Sequence, residues 1–137
     1  MLTHVEFISD SFPPYEDEIY NPDVYGKRLA EFLSKGLGEK GIRTEEIYQE
    51  DWGWIIKVEN EAFGLWIGCG HYPEYENGFL CFIEPHKEQV KKFLFFGTIE
   101  TKPRIMELQK AMDEILQAEP SIENVKWFTH DEFNSPR

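Results

Sequence analysis

The sequence predicts an α+β fold: an antiparallel sheet of about five or six strands with two or three helices packed mainly on one face. Three observations carry this expectation. Between Trp54 and Ile83, apolar residues recur with period two in three successive short segments, which marks strands with one buried side. Between Ile105 and Leu116 they recur instead at i, i+3, i+7, i+10 and i+11, one face of a helix. The strands stand grouped before the longer helix rather than alternating with helices, which favours α+β over a doubly wound parallel sheet.

The elements follow in order. Val5 and Phe7, set among His4, Glu6 and Ile8, predict a first strand. A loop from Ser9 to Asn21 holds Pro13 and Pro14, the acids Asp10, Glu16, Asp17 and Glu18, and no lysine or arginine. Asn21 as N-cap, Pro22 as the first helical residue and Asp23 at the positive end of the dipole predict a helix start. Tyr25, Leu29, Phe32 and Leu33 then share one face, and Gly36 to Gly41 end the helix. Ile42 to Tyr48 is β-rich but polar, which predicts an edge strand. Trp54, Ile56 and Val58 form the inner face of the next strand, Phe63, Leu65, Ile67 and Cys69 that of a third, and Phe79, Cys81 and Ile83 that of a fourth, together an antiparallel meander. Gly64 and Gly68 flank Trp66 on the opposite face, where small residues allow close approach. Lys87 to Phe96 is expected to form a short helix carrying Val90, Phe93 and Leu94. Thr101 then caps the longer helix, Glu119-Pro120 stops it, and Asn124 to Thr129 returns as a strand with Val125 and Trp127.

The chain has 137 residues, the size of one domain with one core, so residues 1–137 are read as a single unit. No stretch has the apolar length of a membrane span, and the first ten residues, with Glu6 and Asp10, lack an export pattern. Two cysteines are too few for a disulfide scaffold. A cytoplasmic location with reduced thiols is therefore expected. The net charge of −12 disfavours nucleic acid and anionic membrane as partners, because both require basic side chains to displace counterions. The charge is uneven: Lys87 to Lys110 holds six basic and three acidic residues, the remainder eight basic and twenty-three acidic.

No motif specifies a reaction. Glu50-Asp51-Trp52-Gly53-Trp54 is the tightest feature. Carboxylates beside tryptophans suit acid–base work, since an apolar wall raises a carboxyl pKa. A turn explains the same residues: Asp51 bonds its own backbone, Gly53 takes an unusual dihedral and Trp54 enters the core. The turn is the better account, so Glu50 and Asp51 are only weak catalytic candidates. The motif resembles one in a family of small bacterial α+β domains of uncharacterised function. There too it precedes an apolar strand, and a late helix leads to a strand like Val125-Lys126-Trp127. The resemblance would cover most of the chain. It implies no activity and assigns no functional residue.

Cys69, His71, Cys81 and His86 are the residue types of a zinc site, but Cys-x-His and Cys-x4-His are poor ligand spacings. Both cysteines lie in the apolar phase of their strands, where they act as small hydrophobes. Cys69 beside His71 resembles a thiolate–imidazole pair, yet alternate strand residues share a face and that face is the core. No Gly-x-Ser-x-Gly elbow is present, and Gly36, Gly38 and Gly41 follow a helix rather than opening one. No metal and no cofactor are expected. Lys87, Lys91, Lys92, Lys102, Arg104 and Lys110 read as the solvated outer faces of helices in preference to an anion site.

The remaining signal is compositional. The six tyrosines avoid the strongest strand cores. Tyr15 and Tyr20 sit in the first loop, Tyr25 opens the helix, and Tyr72 and Tyr75 sit with Glu74 and Glu76 in a later loop. Tyrosine is enriched at interfaces, and interleaved acids steer a basic partner. The same rings also serve to pack their loops down onto the sheet. Three functional readings follow. The first is a binding module, inhibitor-like or immunity-like, that holds a basic protein through Tyr15, Glu16, Tyr20, Tyr72, Glu74 and Tyr75. The second is a small enzyme or ligand-binding domain with a pocket lined by Trp52, Trp54 and Trp66 and with Glu50 or Asp51 as acid/base. The third is a homodimer joined through an exposed sheet edge.

Overall fold

The computed structural model describes residues 1–92 and 96–135. Its centre is a six-stranded sheet in the order β2-β3-β4-β5-β1-β8, with every pair antiparallel. The strands are β1 (Leu2–Ser9), β2 (Thr44–Glu50), β3 (Gly53–Val58), β4 (Leu65–His71), β5 (Gly78–Glu84) and β8 (Ile122–Thr129). The strands β6 (Gln89–Lys91) and β7 (Thr98–Glu100) form a separate two-stranded ribbon. The main helices are α1 (Lys27–Glu39) and α2 (Lys102–Ala118), and a short α3 (His130–Asn134) follows β8. The fold is α+β, and the consecutive strands β2, β3, β4 and β5 form an antiparallel meander.

Period two decides which side of the sheet meets the helices. Val5, Phe7, Ile56, Ile67, Cys69, Phe79, Cys81 and Ile83 all point one way and are buried with Leu29, Leu33 and Leu37 of α1 and Ile105, Leu108, Met112 and Leu116 of α2. Helix α1 packs over β2, β3 and β4, and α2 over β1 and β8. The helices touch where Gly36 meets Ile115; a Cβ on Gly36 would stand 3.0–3.1 Å from that side chain. Phe12 folds the first loop back onto this layer, edge-on to Phe79. The edges β2 and β8 carry charges, among them Glu45, Glu46, Glu123 and Lys126, which discourage edge-to-edge pairing.

Two expectations change in detail. Asn21-Pro22-Asp23 is a cap, with the Asn21 side chain accepting from the Asp23 N–H at 3.3 Å, but it caps a single 3-10 turn (Pro22–Val24). Helix α1 begins only at Lys27. The expected helix from Lys87 to Phe96 is not formed. Val90 pairs with Ile99 across the β6–β7 ribbon, so this short segment alternates in exposure and does not repeat every 3.6 residues. Phe93 and Leu94 lie outside the described residues. Thr101 does precede α2, as expected, but its hydroxyl donates to the Lys87 carbonyl and not to the helix.

Candidate functional site

The loops of one end of the sheet meet, and their charge is all of one sign. Residues 10–26 follow β1, residues 51–52 join β2 to β3, and residues 72–77 join β4 to β5. The Ser9 N–H donates to the Asn77 carbonyl at 3.0 Å, and the Asn77 amide donates to Asp10 at 3.1 Å. His71 ties the first loop to the third: its Nδ1 lies 2.9 Å from the Pro22 carbonyl oxygen and its Nε2 lies 3.2 Å from that of Glu76. Tyr25 stacks on the same imidazole at 4.8 Å. Asn21 and Val24 share a polar hollow with Gln49, Glu50 and Asp51, which joins the first loop to the β2–β3 turn. Across this end, Asp10, Glu16, Asp17, Asp23, Glu50, Asp51, Glu74 and Glu76 are exposed, and the segments 10–26, 49–52 and 72–77 hold no lysine or arginine. Among these acids stand exposed apolar side chains: Ile19 at 52%, Tyr20 at 93%, Tyr75 at 62% and Trp52 at 39%.

The loops are fixed by buried polar contacts. Glu18 is 4% exposed, and its carboxylate accepts from the Tyr15 N–H at 2.8 Å, the Trp54 indole at 3.2 Å and the Lys27 N–H at 3.3 Å. The Trp54 indole also donates to the Val24 carbonyl at 2.9 Å. Thus one member of the acidic loop is its internal clamp. A buried carboxylate needs such donors in place of water. The sequence places Glu18 simply among the loop acids; nothing in its local pattern separates it from Glu16 or Asp17, because two of its three donors, Lys27 and Trp54, come from α1 and β3.

The sheet side away from the helices carries a second set of residues. Trp52, at the tip of the β2–β3 turn, folds over this open face. Its ring centroid is 5.2 Å from Phe82 and 6.2 Å from Trp66, and Trp66 meets Phe82 edge-on at 5.7 Å. Gly68 lies beneath Phe82, and a Cβ there would overlap the ring. Beside this cluster is a hollow of about 310 Å³ lined by Trp52, Gly70, His71, Tyr72, Leu80 and Phe82. Tyr72 donates its hydroxyl to Glu6 of β1. Farther along, His4 stacks between Phe82 at 5.6 Å and Phe133 of α3 at 4.7 Å. Rings of His86 and His130 stack at 3.6 Å, and Glu84 lies 3.1 Å from His86 Nδ1. Burial, reinforced by the neighbouring imidazole of His130, lowers the His4 pKa to about 4. Sequence reasoning missed this gathering of three histidines. They carry no shared local signal, because β1, the segment after β5 and α3 meet only through the sheet order.

The residues singled out from sequence are distributed as follows. Tyr20, Tyr72, Glu74 and Tyr75 belong to the acidic end, with Tyr72 and Tyr75 edge to face at 6.5 Å. Glu16 is exposed beside them in the first loop. Tyr15 is already engaged: the Arg28 guanidinium lies 3.9 Å from its ring centroid, and its hydroxyl donates to Glu31. That hydrogen bond raises the Tyr15 pKa. The tryptophans do not form one pocket. Trp52 and Trp66 are on the open face, whereas Trp54 is on the helix face and bonded to the first loop. Period two forces this separation, since Trp54 sits in the apolar phase of β3. Glu50 and Asp51 are exposed above the polar hollow and not walled by the tryptophans. Gly53 does take a positive φ of 153°, as the turn requires, but the Asp51 side chain makes no hydrogen bond among the described residues.

Cys69, His71, Cys81 and His86 do not converge. The cysteine sulfurs face each other across β4 and β5 at 3.8 Å in the core, His71 joins the loops, and His86 is on the open face. Burial pushes the Cys81 thiol pKa well up, which holds it neutral. Among the described residues no helix is long and apolar enough to cross a membrane, and no group of three His, Cys, Asp or Glu is placed to hold a metal. Comparison with family models, with curated proteins and with solved structures returns no match to this chain, so the site is defined by its own geometry alone.

Proposed function

We propose that this chain is a binding module for a basic protein, engaged through the acidic loop end of the sheet. The observation that supports the reading is the set of eight exposed carboxylates, free of any lysine or arginine in their segments, interleaved with exposed Ile19, Tyr20, Trp52 and Tyr75. Apolar and aromatic side chains supply contact area, and a one-signed rim supplies steering and selectivity. Loops held in place by Glu18, His71 and Trp54 lose little entropy on binding, which favours affinity. The opposite end mixes Lys40, Arg43, Lys87, Lys91, Lys92, Lys102 and Arg104 with Glu39, Glu59, Glu61, Glu88 and Glu100, so the one-signed field belongs to the loop end.

The test compares the native chain with a variant carrying Glu16→Lys, Asp51→Lys and Glu74→Lys. All three sites are exposed, so the fold is preserved. Proteins retained from a lysate are identified by mass spectrometry at low and high salt. The reading requires a basic protein that the native chain holds and the variant loses, with association slowed by about tenfold or more and weakened by salt. Equal retention of the same proteins by the variant, or retention of acidic proteins, contradicts it.

A further inference from the structure

We infer that α3 is an acid-released latch: His4, His86 and His130 hold it against the open face only while their rings are uncharged. The inference does not depend on the functional reading above. Helix α3 has five residues, too few to be helical alone in water. Its order therefore rests on what lies beneath it, which is β8 and β1. Phe133 stacks on the His4 ring at 4.7 Å and meets Phe128 edge-on at 6.3 Å. His130, the first residue of α3, lies flat on His86 at 3.6 Å, with 6° between the planes, and stands edge-on to His4 at 5.6 Å. The two rings of α3 thus both rest on imidazoles.

Charge is the weakness of such a stack. An imidazole ordinarily takes up a proton near pH 6.5. His4 is 5% exposed, and its Nδ1 lies 3.0 Å from the buried Thr3 hydroxyl. Burial first, and then His130, lowers its pKa to about 4, with Glu84 opposing. Charging both His86 and His130 would set two cationic rings with centres 3.6 Å apart. The charged groups around the cluster come from each element packed there. Glu84 of β5 is 3.1 Å from His86 Nδ1, and Asp131 of α3 is 3.6 Å from His130 Nδ1. Glu6 lies two residues beyond His4 on β1 and accepts from Tyr72. Lys126 of β8 and the N-terminal amine stand near Glu132 and add positive charge. Glu132 itself is engaged in the cap: it accepts from the Thr129 N–H at 2.9 Å, and its own N–H donates to the Thr129 hydroxyl at 3.1 Å. Those bonds lower its pKa, so the cap outlasts the titration of the imidazoles. Release returns the three rings to water, where each protonates at its ordinary value. The holding contribution of His4 is complete above about pH 6.5 and is lost as pH falls towards 4, so between about pH 7.5 and 5 this residue alone shifts the release equilibrium by about thirtyfold. Release uncovers His4 and Phe128, beside Phe82 and the Trp52–Trp66 pair, and enlarges the apolar area of the open face in acid.

The experiment takes the native chain from about pH 7.5 to about pH 4.5 by NMR. The α-carbon shifts of residues 130–134 report the helix, and through-space contact between the Phe133 and His4 rings reports docking. Signals of α1 and α2 report the rest of the fold. The expected result is loss of both α3 reporters with a midpoint between about pH 4 and 6.5, while α1 and α2 are unchanged. The variant His4→Phe/His130→Phe keeps the rings without their protons and should stay docked, or release at least about one pH unit lower. In that variant the contact followed is between Phe133 and the new ring at position 4. An α3 that stays docked in the native chain at about pH 4.5, release of the variant at the native midpoint, or loss of α1 and α2 in step with α3 overturns the inference. If the variant does not dock at about pH 7.5, the native chain decides alone: the His4 ring signals must titrate over the same interval as the release, and release without that titration overturns the inference.

Discussion

The two faces of the sheet are made by the same strands yet built on opposite rules. On the helix side, Val5, Ile56, Ile67, Cys69, Cys81 and Ile83 are wholly buried in a continuous apolar layer. On the open side, the intervening residues Glu6, Ile55, Trp66, Gly68, Gly70, Leu80 and Phe82 mix acid, ring and glycine, and most are half-buried. The first face supplies the free energy that selects the fold, since apolar area removed from water is the main favourable term. The second face has no such duty, so it is free to hold a hollow and a ring cluster.

The contrast can be broken by substitutions of increasing subtlety. Ile67→Ala on the buried side should cost roughly 2–5 kcal/mol in urea unfolding, because it leaves a cavity between the sheet and both helices. Leu80→Ala on the open side should cost less than about 1.5 kcal/mol; comparable losses at the two positions would abolish the distinction. Gly53→Ala should come next, at roughly 2–4 kcal/mol. It places a Cβ against the Cys69 carbonyl in a backbone conformation that side chains avoid. Gly68→Ala should cost about 1–3 kcal/mol and shift the Trp52 and Trp66 indole signals, as Phe82 is pushed out of its stack.

A smaller effect concerns pH. His4 has its folded-state pKa lowered from 6.5 to about 4, so the unfolded chain binds the proton more readily. Its stabilising contribution is complete above about pH 6.5 and declines as pH falls towards 4, with a slope of at most about 1.4 kcal/mol per pH unit. The groups facing it are Glu84, His86 and His130. The difference in stability between the native chain and His4→Phe should therefore depend on pH between 6.5 and 4 and be flat above that range. A constant difference would remove the buried neutral imidazole from the account. The least visible effect is chemical: Cys69 and Cys81 should resist alkylation until the chain unfolds, since both are buried.

What was legible in the sequence followed from periodicity and caps. The alternation through Trp54, Ile67 and Cys81 gave the meander and its buried side, and Ile105 to Leu116 gave α2. The fold class therefore needed no tertiary information. The helix expected from Lys87 to Phe96 gives way to β6 because a strand of three residues is too short for period to discriminate. The candidate site was legible only in part. Tyr72, Glu74, Tyr75 and Tyr20 carried their compositional signal, but the convergence of their loops depends on sheet order, with β1 set between β5 and β8. The engagement of Tyr15 by Arg28 and the burial of Glu18 against Trp54 arise from contacts between separate elements, whereas the separation of Trp54 from Trp66 already follows from the alternation of their strands. The hollow above Gly70 depends on an absent side chain, which no local pattern announces.

The central claim is that binding is confined to the acidic loop end. Mapping the backbone amide signals while an arginine-rich nonapeptide is titrated at increasing salt tests it most directly. The account predicts that shifts cluster in residues 10–26, 49–52 and 72–77, and that they shrink with salt. Shifts centred on the ribbon and the start of α2, or spread evenly over the surface, would contradict it.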